Sequence, residues 1–194
     1  MSLAAHALHR TQGRANQLPI RKARGFALID LIFVCGIIGV LCSIALPRLF
    51  IAKQSAAAAS AVGSMRVINS AHLTYALTCG NGFYAPNLTT LGTAPPGSGE
   101  AFITAGVGSA DTVTKSSYII QMTATPYAGS PGSCNGLGVG LAGQGFIAVA
   151  DPTDPSNPRY FGTNASNIIY EHTSTLLASM PEVGAPPVGQ MIIR

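Results

Sequence analysis

The chain is expected to fold as an α+β protein: a long N-terminal α-helix, apolar enough in its first half to cross a membrane, packed against a small antiparallel β-sheet. Three observations carry this expectation. An apolar run extends from Phe26 to Leu46 behind a basic border. Apolar residues then recur at helical spacing up to Tyr75. Beyond Gly80-Asn81-Gly82, strand-like segments follow one another with short links.

The N-terminal 25 residues hold Arg10, Arg14, Arg21, Lys22 and Arg24 and no acid. The formal charge of +4 therefore belongs to this segment, and the remainder has slightly more acid than base. Such a bias describes the side of a membrane on which the segment stays. No basic run follows, so nucleic-acid binding is not expected. Only 9% of the chain is charged, while Gly, Ser, Thr, Asn and Pro are abundant. That balance suits an extracytoplasmic, assembly-forming surface better than a cytosolic enzyme.

The elements are justified in order. Phe26 to about Leu77 reads as one helix, roughly 75–80 Å long at about 1.5 Å per residue. Its first half is apolar all round, with Cys35, Gly36, Gly39, Cys42 and Ser43 offering small surfaces for close helix packing. Pro47 removes a backbone donor and is expected to kink or locally melt the helix. Val62, Met65, Ile68, Ala71 and Tyr75 then form a stripe that fits packing on a sheet, with Ser60, Ser64 and Arg66 as polar positions. The helix is expected to stop near Thr78, before Gly80-Asn81-Gly82. Four strands are expected at Ser117–Thr125, Gly145–Ala150, Arg159–Gly162 and Asn167–Glu171, with a turn at Thr163–Ser166. Successive short links imply an antiparallel meander. Pro181, Pro186 and Pro187 make the tail irregular, with a short last strand at Met191–Ile193.

The most informative stretch is Arg21-Lys22-Ala23-Arg24-Gly25-Phe26-Ala27-Leu28-Ile29-Asp30. Asp30 is an acid inside an apolar span, a costly placement that marks a function or a partner. With Pro47 at the twenty-second position after Gly25, this pattern resembles the N-terminus of type IV pilins and pseudopilins: a basic leader ending in Gly, an aromatic, an acid, and an apolar helix bent by proline. Asp30 departs from the Glu usual in the family. The close resemblance covers Arg24 to about Ala57. Phe83-Tyr84-Ala85-Pro86-Asn87-Leu88 resembles the family's loop between helix and sheet, which packs on the helix.

The resemblance implies a leader (1–25) removed by a prepilin peptidase after Gly25, with methylation of the new Phe26 amine. It implies a helix (26–78) that is membrane-spanning, and later filament core, in its first half, and a periplasmic or extracellular β-rich domain (79–194). Asp30 would pair with the Phe26 amine of a neighbouring subunit during assembly. The implied partners are copies of the chain or related pilins, the peptidase and methylase, an inner-membrane assembly platform and the lipid bilayer. The implied location is the bacterial inner membrane, then a cell-surface or periplasmic filament. The expected function is a non-enzymatic subunit of a type IV pilus-like filament, with a pseudopilin of a type II secretion system as the alternative. Other classes stay open: an ordinary membrane anchor bearing a periplasmic binding or enzymatic domain, or a signal peptide cut after Ser43-Ile44-Ala45.

Four cysteines form two pairs. Cys35 and Cys42 lie seven apart on one helical face and suit packing. Cys79 and Cys134 suit a disulfide in an oxidising compartment, two buried free thiols being the other possibility. No catalytic residue, cofactor or firm metal site is expected. Asp151 and Asp154 are weak Ca²⁺ candidates, more simply a turn in Asp-Pro-Thr-Asp-Pro-Ser. Gly138-Val139-Gly140-Leu141-Ala142-Gly143 matches G-x-G-x-x-G, but lacks a following helix and an acid about 20 residues on, so it reads as a flexible loop. His72 and His172 are isolated, and such histidines are structural or solvated more often than ligands.

Overall fold

The structure is a computed structural model and describes residues 28–193. Helix α1 occupies Leu28–Thr78 and does not end at Pro47. Pro47 lacks the N–H that would reach the carbonyl of Ser43. Contacts divide the chain within α1, between Ala45 and Leu46. The physical reason is that the second half of α1 belongs to the core of the sheet domain, while the first half has no such packing.

That core is assembled from alternate residues. From α1 come Ala58, Ala61, Met65, Ile68, Ala71 and Tyr75, all buried. Strands β1 (Thr112–Lys115), β2 (Tyr118–Thr123), β3 (Ile147–Pro152), β4 (Tyr160–Asn164), β5 (Ile169–His172) and β6 (Gln190–Ile193) form a six-stranded sheet in that order, antiparallel throughout. Tyr118, Ile120 and Met122 of β2, Ala148 and Ala150 of β3, Phe161 of β4 and Ile169 of β5 join the cluster that includes the α1 residues. Period-two alternation places these side chains on one face. The two alanines of β3, Ala148 and Ala150, are both fully buried in this cluster.

The expected meander and its final strand are present, with β6 opening at Gln190. An edge strand, β1, precedes the four expected ones. Two short helices, α2 (Leu88–Gly92) and α3 (Ala105–Gly108), fill the connection from α1 to the sheet. Asn87 caps α2, its side chain accepting from Thr90 N at 3.0 Å. Leu88 and Leu91 are carried into the core.

The opposite face of the sheet is also covered. Val149 and Tyr170 pack with Leu176 and Met180 from the segment after β5. Gly162 lies between their strands, and a Cβ there would meet Met180 Cε at 2.6 Å and Leu176 Cδ1 at 3.0 Å. Asn164, fully buried, holds the segment down: Nδ2 donates to Pro181 O (2.8 Å) and Gly184 O (2.7 Å), and Oδ1 accepts from Ser166 N (3.0 Å). Ala165 N donates to Glu182 O (3.0 Å), and Glu182 Oε1 accepts from Thr125 N.

Candidate functional site

Two regions concentrate the sequence-predicted residues: the apolar half of α1 and the disulfide-closed end of the sheet domain. Gly25 and Phe26 lie outside the described residues. Every large apolar side chain from Leu28 to Ile51 is exposed, with Leu28 at 74% and Phe33 at 69%. The segment is long and apolar enough to be a candidate membrane span, with a mean hydropathy of 2.6 over an 18-residue window. Covering this surface with lipid or other helices would release on the order of tens of kcal/mol, at about 1.5–3 kcal/mol per large side chain. Gly36 and Gly39 leave open space where a Cβ would stand. Gly36 thereby forms a notch flanked by Ile32, Phe33, Val40 and Leu41, a shape into which another helix fits. Cys35 and Cys42 are free and exposed on this segment.

Asp30 sits in the first turn of α1, where the unsatisfied N–H groups of a helix favour negative charge. It is exposed, and among the described residues no cation lies within ion-pair distance. The only ion pair among them is Arg159 with Glu171, at the other end of the chain.

At the end of α1, Cys79 and Cys134 are joined by a disulfide, with their Cα atoms 4.8 Å apart. Cys134 N also donates to Cys79 O at 3.2 Å. The glycine-rich segment that follows is tied down rather than open. Gly140 N donates to Ser130 O (2.8 Å), Ala142 N to Ser130 Oγ (3.1 Å), and Gly143 exchanges backbone bonds with Tyr84 (2.9 Å each). Among the described residues, no helix follows it.

His72 is a core residue. It is fully buried, stacked on Phe146 with ring centroids 3.8 Å apart, and its Nε2 lies 2.8 Å from Met122 Sδ. Burial pushes its pKa down to about 3, so it is neutral at physiological pH. Asn69, one turn before, shares hydrogen bonds with Thr163 of β4 (2.9 and 3.1 Å). Neither residue was singled out from the sequence as a core contact to the sheet. The available signal was that both lie on the same helical face as Met65 and Ala76. Ser64 is likewise buried rather than solvent-facing, its hydroxyl donating to Ser60 O.

Asp151 lies in β3 and Asp154 in the turn that follows it. Burial raises the pKa of Asp151. Asp154 is exposed, and its carboxylate accepts from Ser156 N (2.9 Å), which lowers its pKa. Among the described residues, no group of three or more His, Cys, Asp or Glu side chains is placed to share a metal ion. Asp154 lines a small cleft of about 120 Å³ with Phe50, Lys53, Ser117 and Asn157. His172 bonds Ser174 locally at 2.9 Å.

Comparison with protein-family models, with curated proteins and with solved structures yields no match to this chain.

Proposed function

We propose that this chain is a structural subunit of a type IV pilus-like filament. It is cleaved after Gly25, held in the inner membrane by the first half of α1, and assembled through that same segment. The observation that carries this reading is the register of one junction: a basic run ending in Gly25, the aromatic Phe26, Asp30 in the first turn of α1, and an exposed apolar surface that continues past Pro47.

Cleavage at that junction creates an amine on Phe26, four residues from a carboxylate in an otherwise apolar segment. In hydrocarbon an unpaired carboxylate costs several kcal/mol or takes up a proton. Pairing with an amine removes that cost, and an amine from a neighbouring subunit makes the pair a register for addition to the fibre. The notch at Gly36 and the small residues around it favour close helix contact once the subunit leaves lipid. The sheet domain then lies outside a core of helices.

The same features suit a pseudopilin, and the neighbouring genes discriminate: a retraction ATPase goes with a pilus, a secretin with several pseudopilins goes with secretion. The direct test is to shear surface fibres from cells producing the chain and identify their subunits by mass spectrometry. Fibres containing this chain support the reading. Cells whose fibres lack it, with all of the chain remaining as membrane monomer, contradict it.

A further inference from the structure

Helix α1 carries no acid after Asp30, and its cations are Arg48, Lys53 and Arg66. Lys53 shares the cleft of about 120 Å³ with Asp154, yet the two form no ion pair. Arg48 lies about 140° round the helix from Lys53. The cleft belongs wholly to the compact unit that begins at Leu46. Leu46 and Phe50, both exposed, stand on the same side of α1 as Lys53, two turns and one turn earlier. A strip of apolar helix thus leads into a small cleft that holds one positive and one negative group.

The walls of the cleft are fixed at a conformational cost. Ser116 and Ser117 form the two-residue turn between β1 and β2, and both are left-handed, with φ of 50° and 63°. Glycine or asparagine is the usual occupant of such a turn, because a larger Cβ-bearing residue is crowded there. The serines supply what glycine lacks. Ser116 Oγ accepts from Ser60 Oγ of α1 at 2.9 Å, which pins the turn to the helix, and Ser117 lines the cleft. Ser117 O accepts from Thr153 N (3.0 Å) and from Thr153 Oγ1 (3.2 Å), which holds the loop after β3 to the same turn. In that loop Asp154 O accepts from Asn157 N (3.0 Å), and Asp154 Oδ1 from Ser156 N (2.9 Å). Among the described residues, no hydrogen bond engages Lys53 Nζ, the Ser117 hydroxyl or Asp154 Oδ2.

We propose that this cleft holds the headgroup of a membrane phospholipid that carries a phosphate and a primary amine, of the phosphatidylethanolamine kind. The inference rests on the membrane anchoring proposed above. The phosphate sits against Lys53 and Ser117, the ammonium against Asp154, and an acyl chain runs along Phe50 and Leu46. Lysine at the border of an apolar helix reaches a headgroup with its charge while its stem stays on apolar surface. Opposite charges held apart suit a zwitterion. An anionic headgroup with no amine would meet Asp154 as well as Lys53, and the repulsion offsets the attraction. The surroundings add one charge of each sign, since Lys115 ends β1 just before the turn and Asp151 stands in β3 two residues before Thr153.

The test reconstitutes the full chain in phosphatidylcholine vesicles containing equal shares of phosphatidylethanolamine and phosphatidylglycerol, extracts it in mild detergent, and counts retained phospholipids by native mass spectrometry. Phosphatidylethanolamine is expected to be retained over phosphatidylglycerol by about tenfold. Lys53→Ala and Asp154→Asn should each cut that retention by about fivefold, the worth of one charge at a headgroup layer, without changing thermal unfolding. Asp154→Lys should turn the preference to phosphatidylglycerol, and Arg48→Ala should leave it unchanged. The proposal is overturned if the parent retains both lipids equally, or if the Lys53 and Asp154 variants retain lipid as the parent does. Free phosphoethanolamine binding as tightly as the lipid would put a soluble ester in the cleft and overturn it too. So would altered self-association of those variants in lipid-free detergent, which would make the cleft a contact between copies. A chain that enters no bilayer overturns both this inference and the anchoring on which it rests, whereas insertion without lipid preference overturns this inference alone.

Discussion

Replacing Asn164 with Ala removes three hydrogen bonds at a fully buried position while leaving the sheet's own ladder untouched. Pro181 O and Gly184 O lose their donor, and Ser166 N loses its acceptor. Each such bond contributes about 1 kcal/mol net, and a stranded buried group costs about 1–3 kcal/mol. Gly184 is exposed and Pro181 partly so, and water can rehydrate those carbonyls. The expected loss is therefore about 2–3 kcal/mol, a large fraction of the 5–15 kcal/mol typical of a domain. The loss should be localised. The segment bearing Leu176 and Met180 loosens from Val149 and Tyr170, while α1 and its core contacts remain. Urea unfolding of the full chain in detergent reads the magnitude, and hydrogen exchange reads the location, through the amides of Ala165, Ser166 and Gly184. A stability change under about 0.5 kcal/mol with unchanged protection at those amides would refute the role given to Asn164.

Other outcomes follow from the same structure. His72 has a folded pKa of about 3 against an ordinary 6.5, so the unfolded chain binds the extra proton and stability falls as pH drops from about 6.5 towards 3. The slope from this group is about 1.4 kcal/mol per pH unit, and His72→Phe, which keeps an aromatic ring on Phe146, should flatten the acid limb of a stability–pH curve relative to the parent; an identical acid limb would show that another group sets it. Changing Cys79 and Cys134 together to Ser opens a loop with a sequence separation of 55 and should cost about 4 kcal/mol by the chain-entropy relation, measured as a lowered urea midpoint; an unmoved midpoint would argue against a stabilising bond. Asp30→Ala should insert in the membrane and be cleaved but give few fibres, while Asp30→Glu assembles, and fibre yield scored by shearing decides; normal yield from the alanine variant would remove the charge from the assembly step.

The parts legible in the sequence were those with strong periodicity or strong punctuation. The stripe of Met65, Ile68, Ala71 and Tyr75 and the Gly80-Asn81-Gly82 stop located α1 and its end. Alternating apolar residues located β2 to β5 to within a few residues. Strand β1 was missed because Thr-Val-Thr-Lys offers one apolar residue and sits at an exposed edge of the sheet, paired with β2. Helix α2 was missed although Asn87 stands at its cap, since five residues are too few to show a helical period. The prolines after β5 announced irregular backbone but not its task. That Leu176 and Met180 cover the outer sheet face depends on Gly162 and Asn164, whose roles exist only once β4 is placed between its neighbours. Asn69 and His72 were hidden for a related reason: a polar residue on an apolar stripe reads as an interruption until its partners, Thr163 and Phe146, arrive from distant strands. The assembly residues differ again. Asp30 stood out because a charge in an apolar run is costly, and the described structure leaves it at the start of an exposed apolar helix.

The central claim rests on where the mature chain begins. Mass spectrometry of the N-terminal peptide, taken from the membrane fraction and from sheared fibres, tests it directly. The account predicts a first residue of Phe26, carrying one added methyl group on its amine, and uncut precursor when Gly25 is changed to Val. A mature chain beginning at Leu46 would identify an ordinary signal peptide cut after Ala45, and a chain still beginning at Met1 in assembled material would show that the junction at Gly25 is not processed; either result contradicts the account.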